Sequence, residues 1–338
     1  MSSASDSGDH KPVTDPARAT IPPRSRRFPP YKTHRSISGD WSQPVPANEL
    51  RRRASIGARD GVGVTIDGRY TIRRRIGAGA TSTVYEASDE QGTLWALKVL
   101  DLDSDREIER FQREHTLLQA LVHPNIVDVV DSGLSGGRHF TVMPLLRGGT
   151  LLDWMRARTG QMDFGRACRL FAGAARGLHA AHEAGVVHRD VKPGNLAIEP
   201  DDEGTERLLV LDFGIAKSMA GTASLTDAGK VVGTPAYVCT ERLFSGARAT
   251  ASWDVYSLGV VLYEVLTGMP LFRGRTWVQT MTRIQQHVPA PIYLMRKDCP
   301  AALDNLVAEM IAKTAHARPS GCDVVARRLT RIADKLES

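Results

Sequence analysis

Val187-His188-Arg189-Asp190-Val191-Lys192-Pro193-Gly194-Asn195 is followed, 17 residues after its asparagine, by Asp212-Phe213-Gly214, which closes the apolar run Leu208-Leu209-Val210-Leu211. These two short stretches hold a carboxylate able to accept a proton, a lysine two residues further on, and two hard oxygen ligands, Asn195 and Asp212. Mg²⁺ favours ligands of that kind. Moving a phosphoryl group asks little covalent chemistry of a protein, but it needs a metal, placed positive charge and an oriented hydroxyl. Asp190 suits the proton acceptor and Lys192 the charge balance. Each residue alone has an ordinary structural use, Asp190 capping a turn or Asn195 tying loop backbone; their shared order and spacing favour the chemistry.

Upstream, Ile76-Gly77-Ala78-Gly79-Ala80-Thr81-Ser82-Thr83-Val84 joins two strand-like runs. Glycines there let backbone amides come close to phosphates, which predicts a strand-turn-strand lid. A dinucleotide fingerprint would need a helix after the glycines and a third glycine where Ser82 stands, so that reading carries little weight. Lys98 lies in the alternating run Trp95-Ala96-Leu97-Lys98-Val99-Leu100, with apolar flanks that fit a paired interior lysine better than an edge residue in water. Its partner is expected on the following helix, at Glu114 rather than Glu107 or Glu109.

The 338 residues carry a net charge of +6, but residues 1–66 hold 11 Lys/Arg against 6 Asp/Glu, leaving +1 for the rest. A nearly neutral remainder argues against a nucleic-acid footprint. The same leader holds 8 of the 18 prolines and no periodic apolar pattern, so it is expected to be disordered. Within it, Arg51-Arg52-Arg53-Ala54-Ser55 is read first as a solvated basic linker and second as a phosphoacceptor string. Cys168, Cys239, Cys299 and Cys322 show no metal or disulfide spacing. With no apolar run of membrane length and no signal peptide, a cytoplasmic protein without membrane contact is expected.

From Tyr70 the pattern turns to strands at Tyr70 to Ile76, Thr83 to Ala87, Leu94 to Leu100, Ile126 to Val130 and His139 to Met143, with one helix over Asp105 to Leu121. Helices are expected at Leu151 to Arg158, Phe164 to Ala184, Ser252 to Thr267, Trp277 to His287, Ala301 to Ile311 and Gly321 to Leu336.

On these motifs the chain resembles the protein kinases, and within them the eukaryotic-like serine/threonine kinases of bacteria, over roughly Arg69 to Ala333. The resemblance implies an α+β, bilobal fold: a small antiparallel β-rich N-lobe with one helix, over 67–146 including the hinge, and a larger, mainly helical C-lobe over 147–335. It implies transfer of the ATP γ-phosphoryl group to Ser/Thr hydroxyls of proteins, with Mg²⁺, or Mn²⁺ in its place. Gly77, Gly79 and Val84 then line the nucleotide with Ile76, Ala78 and Ala96, Lys98 grips its α and β phosphates, and Glu114 pairs with Lys98. Asp190 is the catalytic base, Lys192 its companion, and Asn195 and Asp212 the metal ligands. Val142-Met143-Pro144-Leu145-Leu146 looks like the hinge, with Met143 as gatekeeper and backbone groups of Pro144 and Leu146 facing adenine. Asp254 resembles the buried acid that holds the catalytic loop, and Arg318 the arginine that pairs with Glu241.

Cys239-Thr240-Glu241 departs from the Ala-Pro-Glu usual in the family, keeping only the acid. Cys239 is read as packing in preference to a reactive thiol, and His179 with His182 as helix packing in preference to a metal pair. Lys192 and Gly233-Thr234-Pro235 before Tyr237 resemble the serine/threonine branch. Ser218, Thr222, Ser224 and Thr226 fall in an implied activation loop whose phosphate would dock on Arg189; Thr226 or Ser224 is the expected autophosphorylation site, with a transient dimer as its setting. Two rival readings keep the fold, a pseudokinase scaffold and a small-molecule kinase. Intact Lys98, Asp190, Asn195 and Asp212 weigh against the first, and Lys192 with Thr234-Pro235 against the second.

Overall fold

The computed structural model describes residues 61–79, 82–101, 111, 115–117, 119–157, 161–201, 203–213, 235–244 and 248–338. Residues 1–60 of the leader, with Ser55, and also Glu114, Ser218 to Thr226 and Gly233-Thr234, lie outside them; the expectation of disorder up to residue 66 is corrected at its end, where Thr65 and Ile66 pair with Thr71 and Tyr70.

Strand β4 (Leu94–Leu100) forms over the residues its alternation predicts: Trp95, Leu97 and Val99 are buried on one face, while Ala96 and Lys98 are half-buried on the other. The turn before it is set by Asp89, whose carboxylate accepts the backbone N–H groups of Gln91 and Thr93 at 3.0 and 2.8 Å. Around β4 a six-stranded antiparallel sheet is built in the order β1-β2-β3-β4-β6-β5, from β1 (Thr65–Ile66), β2 (Tyr70–Ala78), β3 (Ser82–Ser88), β5 (Asp131–Ser135) and β6 (Arg138–Pro144). The described residues between 111 and 120 are helical, in keeping with the helix expected there.

One expected strand is corrected. Ile126 to Val130 is not a strand: Ile126 forms a single bridge to Val210 in the C-lobe, where Val127 N–H also bonds the Val210 carbonyl at 3.0 Å. Sheet pairing resumes only at Asp131, opposite Val142.

The C-lobe is mainly helical: α1 (Leu151–Ala157), α2 (Phe164–Glu183), α3 (Thr240–Phe244), α4 (Ala251–Thr267), α5 (Trp277–Gln286), α6 (Ala301–Met310) and α7 (Cys322–Glu337). Helix α4 runs through its middle, every residue from Trp253 to Thr267 buried, as its near-continuous apolar sequence requires. A short hairpin, β7 (Leu196–Pro200) and β8 (Glu206–Val210), lies between the two loops that opened the sequence reading. It was not foreseen as a hairpin. Where the chain enters the C-lobe, the buried Glu199 carboxylate accepts the backbone N–H groups of both Arg147 and Gly148 at 3.0 Å. Residue 148 must be glycine, since a Cβ there would lie 1.7 Å from the Ile198 carbonyl oxygen.

Candidate active site

Cross-strand partners share a sheet face, so the register decides what meets in the N-lobe. Gly77 pairs with Val84, Val84 with Lys98, and Met143 with Ala96, which lies two residues before Lys98. Gly77, Val84, Ala96, Lys98 and Met143 therefore occupy one face. Pro144 pairs with Trp95 and belongs to the other; Leu146 follows the strand end, half-buried. Ile76, Ala78 and Gly79 form the exposed tip of β2, closed by the Gly79 N–H to the Ser82 carbonyl at 2.7 Å.

Lys98 reaches the C-lobe from this face: its Nζ is 2.9 Å from Asp212 Oδ1. Glu114, its expected partner, is outside the described residues. Across from it, Asp190 Oδ2 accepts Lys192 Nζ and Asn195 Nδ2, each at 2.8 Å, and Asn195 Nδ2 also donates to the Asp190 carbonyl at 2.8 Å. Both neighbours of that amide nitrogen are acceptors, which fixes the orientation of the side chain and turns its Oδ1 away from Asp190. The two groups are tied together through Leu211, whose N–H bonds the Asn195 carbonyl at 2.9 Å and whose own carbonyl lies 2.7 Å from His188 Nε2. Asp190, Lys192, Asn195, Asp212 and Lys98 are thus brought into one neighbourhood.

The loop backbone is unusual at two points. Arg189 and Asp212 have φ of 65° and 43°, a left-handed conformation that costs non-glycine residues energy and persists only where the surroundings impose it. Asp254, fully buried on α4, supplies part of that constraint: its carboxylate accepts the N–H groups of His188 and Arg189 at 2.8 and 2.9 Å, and His182 Nε2 lies 2.8 Å away. Burial alone would raise the Asp254 carboxyl, but the hydrogen bonds from His182 and from the His188 backbone N–H hold it below the usual carboxylate range. The pKa of His188 is lowered as well, in its case by complete burial. A neutral ring with its proton on Nε2 fits both contacts, donating to the Leu211 carbonyl and accepting the Asp190 N–H on Nδ1 at 3.2 Å. That role of His188 was missed, although the residue stands in the motif; the Phe213 ring packs against it at 4.7 Å.

Further from the cleft, Arg318 donates to both Glu241 oxygens at 2.6 and 3.0 Å, so the pair read from the sequence forms in bidentate geometry despite the altered residues beside it. Tyr237 is held through its carbonyl by Ser257 Oγ at 2.7 Å and through its hydroxyl, which donates to Glu264 at 2.8 Å. Cys239 is buried and its thiol is pushed up to about 12 by that burial, which makes it packing rather than a nucleophile. His182 serves Asp254, and no group of three or more metal-ligating side chains occurs among the described residues.

Residues 70–329 match the family model described as the protein kinase domain. Serine/threonine-protein kinase PknA of Mycobacterium tuberculosis is 38% identical over 266 residues, covering 76% of this chain and 59% of that protein. The DNA damage-responsive serine/threonine-protein kinase RqkA of Deinococcus radiodurans is 36% identical over 264 residues, 76% of this chain and 38% of its own length. This chain therefore spans less than two thirds of either relative. The crystal structure of the Mycobacterium tuberculosis PknI kinase domain superposes with a TM-score of 0.62 at 28% identity, over 80% of this chain and 98% of that domain. Together with the Lys98–Asp212 contact between sheet and loop, these matches show that the chain belongs to the protein kinase family, in its bacterial eukaryotic-like serine/threonine branch.

Proposed function

We propose that the chain transfers the γ-phosphoryl group of ATP to serine or threonine hydroxyls of proteins. The family as a whole uses ATP with a divalent metal. The observation that carries the reading is the meeting of Lys98 with Asp212 across the two lobes, beside a loop in which Lys192 and Asn195 both bond Asp190.

The residues present fit such a ligand. Among the described residues, a Cβ on Gly77 would meet only Val84 at 3.7 Å, and one on Gly79 only Ser82 at 3.6 Å, both ordinary contacts, and neither glycine has positive φ. The packing of the described residues asks for neither glycine, whereas close approach of a phosphate would. Asn195 Oδ1 and the Asp212 carboxylate are the hard oxygens that would hold Mg²⁺, or Mn²⁺ in its place. Bound there, the metal nucleotide supplies the phosphoryl group and spreads its charge.

In this reading Lys98 holds the α and β phosphates, with Glu114 as its second partner, under a roof of Ile76, Gly77, Ala78, Gly79, Val84, Ala96 and Met143. The backbone of Pro144 and Leu146 faces adenine. Asp190, oriented by two donors on Oδ2, accepts the proton of the incoming hydroxyl, and Lys192 offsets charge on the moving group. We place the lobe boundary at 146 and end the leader at residue 60, ahead of the strand Thr65–Ile66 that joins the sheet. Protein substrates, a cytoplasmic setting and the absence of nucleic-acid or membrane partners belong to the same reading, supported by the near-neutral charge beyond residue 66. No helix among the described residues is long and apolar enough to cross a membrane. Autophosphorylation at Ser224 or Thr226 is tested by the Ser224→Ala/Thr226→Ala variant, whose unchanged activity would reject it.

Transfer of labelled phosphate from ATP to a generic basic protein tests the main reading. Asp190→Asn and Lys98→Met should each lower the rate by about 100-fold or more. Equal rates in wild type and Asp190→Asn, or no transfer by wild type, would overturn it.

A further inference from the structure

Arg242, on α3, reaches back 53 residues to the catalytic loop, where its Nη1 donates to the carbonyl oxygen of Arg189. Its guanidinium sits 5.5 Å over the ring of Trp253, the residue next to Asp254 on α4. The carbonyl it grips belongs to the peptide unit joining Arg189 to Asp190. The N–H of that unit is taken by His188 Nδ1, and the N–H of the preceding unit by Asp254 Oδ1. The Arg189 N–H, the Arg189 carbonyl and the Asp190 N–H are therefore all bonded around the left-handed Arg189, and Arg242 supplies the bond to the carbonyl.

Arg242 is itself well seated. Its neighbour Glu241 is locked bidentately by the buried Arg318, and Thr240 Oγ1 donates to the Lys313 carbonyl at 2.8 Å. The aromatic face beneath the guanidinium favours a cation there and keeps water from competing for it. A left-handed residue next to a carboxylate that must meet a hydroxyl within a fraction of an ångström is sensitive to a lost anchor, because relaxing φ and ψ at Arg189 swings the Cα of Asp190.

We infer that Arg242 is a positioning residue for phosphoryl transfer: stacked on Trp253, it fixes the Arg189–Asp190 peptide plane and so aims the Asp190 carboxylate. The inference rests on the phosphotransferase reading. It adds a residue that touches neither nucleotide nor metal, and it gives the Glu241–Arg318 pair a path to the catalytic loop.

The test compares the unaltered chain with Arg242→Met, which keeps the stem and loses the donors, and Arg242→Lys, which keeps a cationic donor. The readouts are kcat, KM for Mg-ATP and for a protein substrate, and melting temperature. Loss of one charge-assisted hydrogen bond predicts kcat about 10- to 100-fold lower in Arg242→Met. The KM for Mg-ATP should stay within about twofold of wild type, since the roof and metal ligands are untouched. Arg242→Lys should recover a measurable part of kcat while melting with wild type. An active wild type with undiminished kcat in Arg242→Met overturns the inference and leaves the phosphotransferase reading standing. So does a fall in kcat that Arg242→Lys fails to recover at all, or one shared equally by the KM for Mg-ATP. A wild type that transfers no phosphate overturns the phosphotransferase reading and takes the inference with it.

Discussion

A guanidinium with no exposed surface has to be neutralised where it stands, and Arg318 meets Glu241 through both arms while also bonding the Ala312 carbonyl at 2.8 Å. Removing one partner of such a pair strands a buried charge. Glu241→Ala should therefore cost about 3–5 kcal/mol of stability, read from the urea midpoint, and the Glu241→Ala/Arg318→Met double variant should recover part of that loss. This pair was legible in the sequence because both residues stand in recognisable strings. The tautomer of His188 was not: beside the local Asp190 N–H, its second partner is the carbonyl of Leu211, which arrives only when the segment just past β8, 23 residues downstream, folds beside the loop. Arg242 is a harder case still. Its sequence neighbourhood marks it as one more polar residue on a short helix, and only the approach of Arg189 gives it a task.

Among the elements, β4 emerged at its expected ends because alternation and a flanking turn both specify it, whereas β5 is the polar run Asp-Ser-Gly-Leu-Ser and pairs only because β6 offers it an edge. The apolar Ile126 to Val130 misleads for a related reason: its greasiness serves contact with the C-lobe at Val210 instead of a ladder. The hairpin β7–β8 escaped notice because five-residue strands beside a motif-rich loop carry little periodic signal. Two glycine substitutions separate fold from function at this scale. Gly148→Ala forces a Cβ onto the Ile198 carbonyl and should destabilise the chain by about 1–3 kcal/mol or more, measured by thermal melting. Gly77→Ala adds a methyl that packs normally on Val84, so melting should hold while calorimetry finds weaker Mg-ATP binding.

Taken whole, the molecule buries histidines that must stay neutral. His115 and His139 share a cluster with Phe111 in the N-lobe, ring centroids 5.1 and 5.4 Å from that phenylalanine, and burial brings both down to about 4. The unfolded chain takes up these protons near pH 6.5 and the folded chain only near 4. Folding stability should then fall as pH drops through the interval from about 6.5 to 4, by on the order of 3 kcal/mol for each ring. Urea titrations at pH 7 and 4.5 check this, and a His115→Phe/His139→Phe variant should lose less between the two. The bilobal division itself was readable, since the switch from alternating to helical periodicity falls at the end of β6. How the lobes are joined was not, because it depends on Glu199, a residue far along the chain that fastens Arg147 and Gly148 to the floor. With β6 ending at Pro144, the link left between sheet and fastening is Leu145 and Leu146 alone. With Ile126 and Val127 clasping Val210 as a second fastening, the upper half is held at two separated points, which define a hinge line: tilting about it needs no stretched bond, whereas sliding sideways would break both attachments.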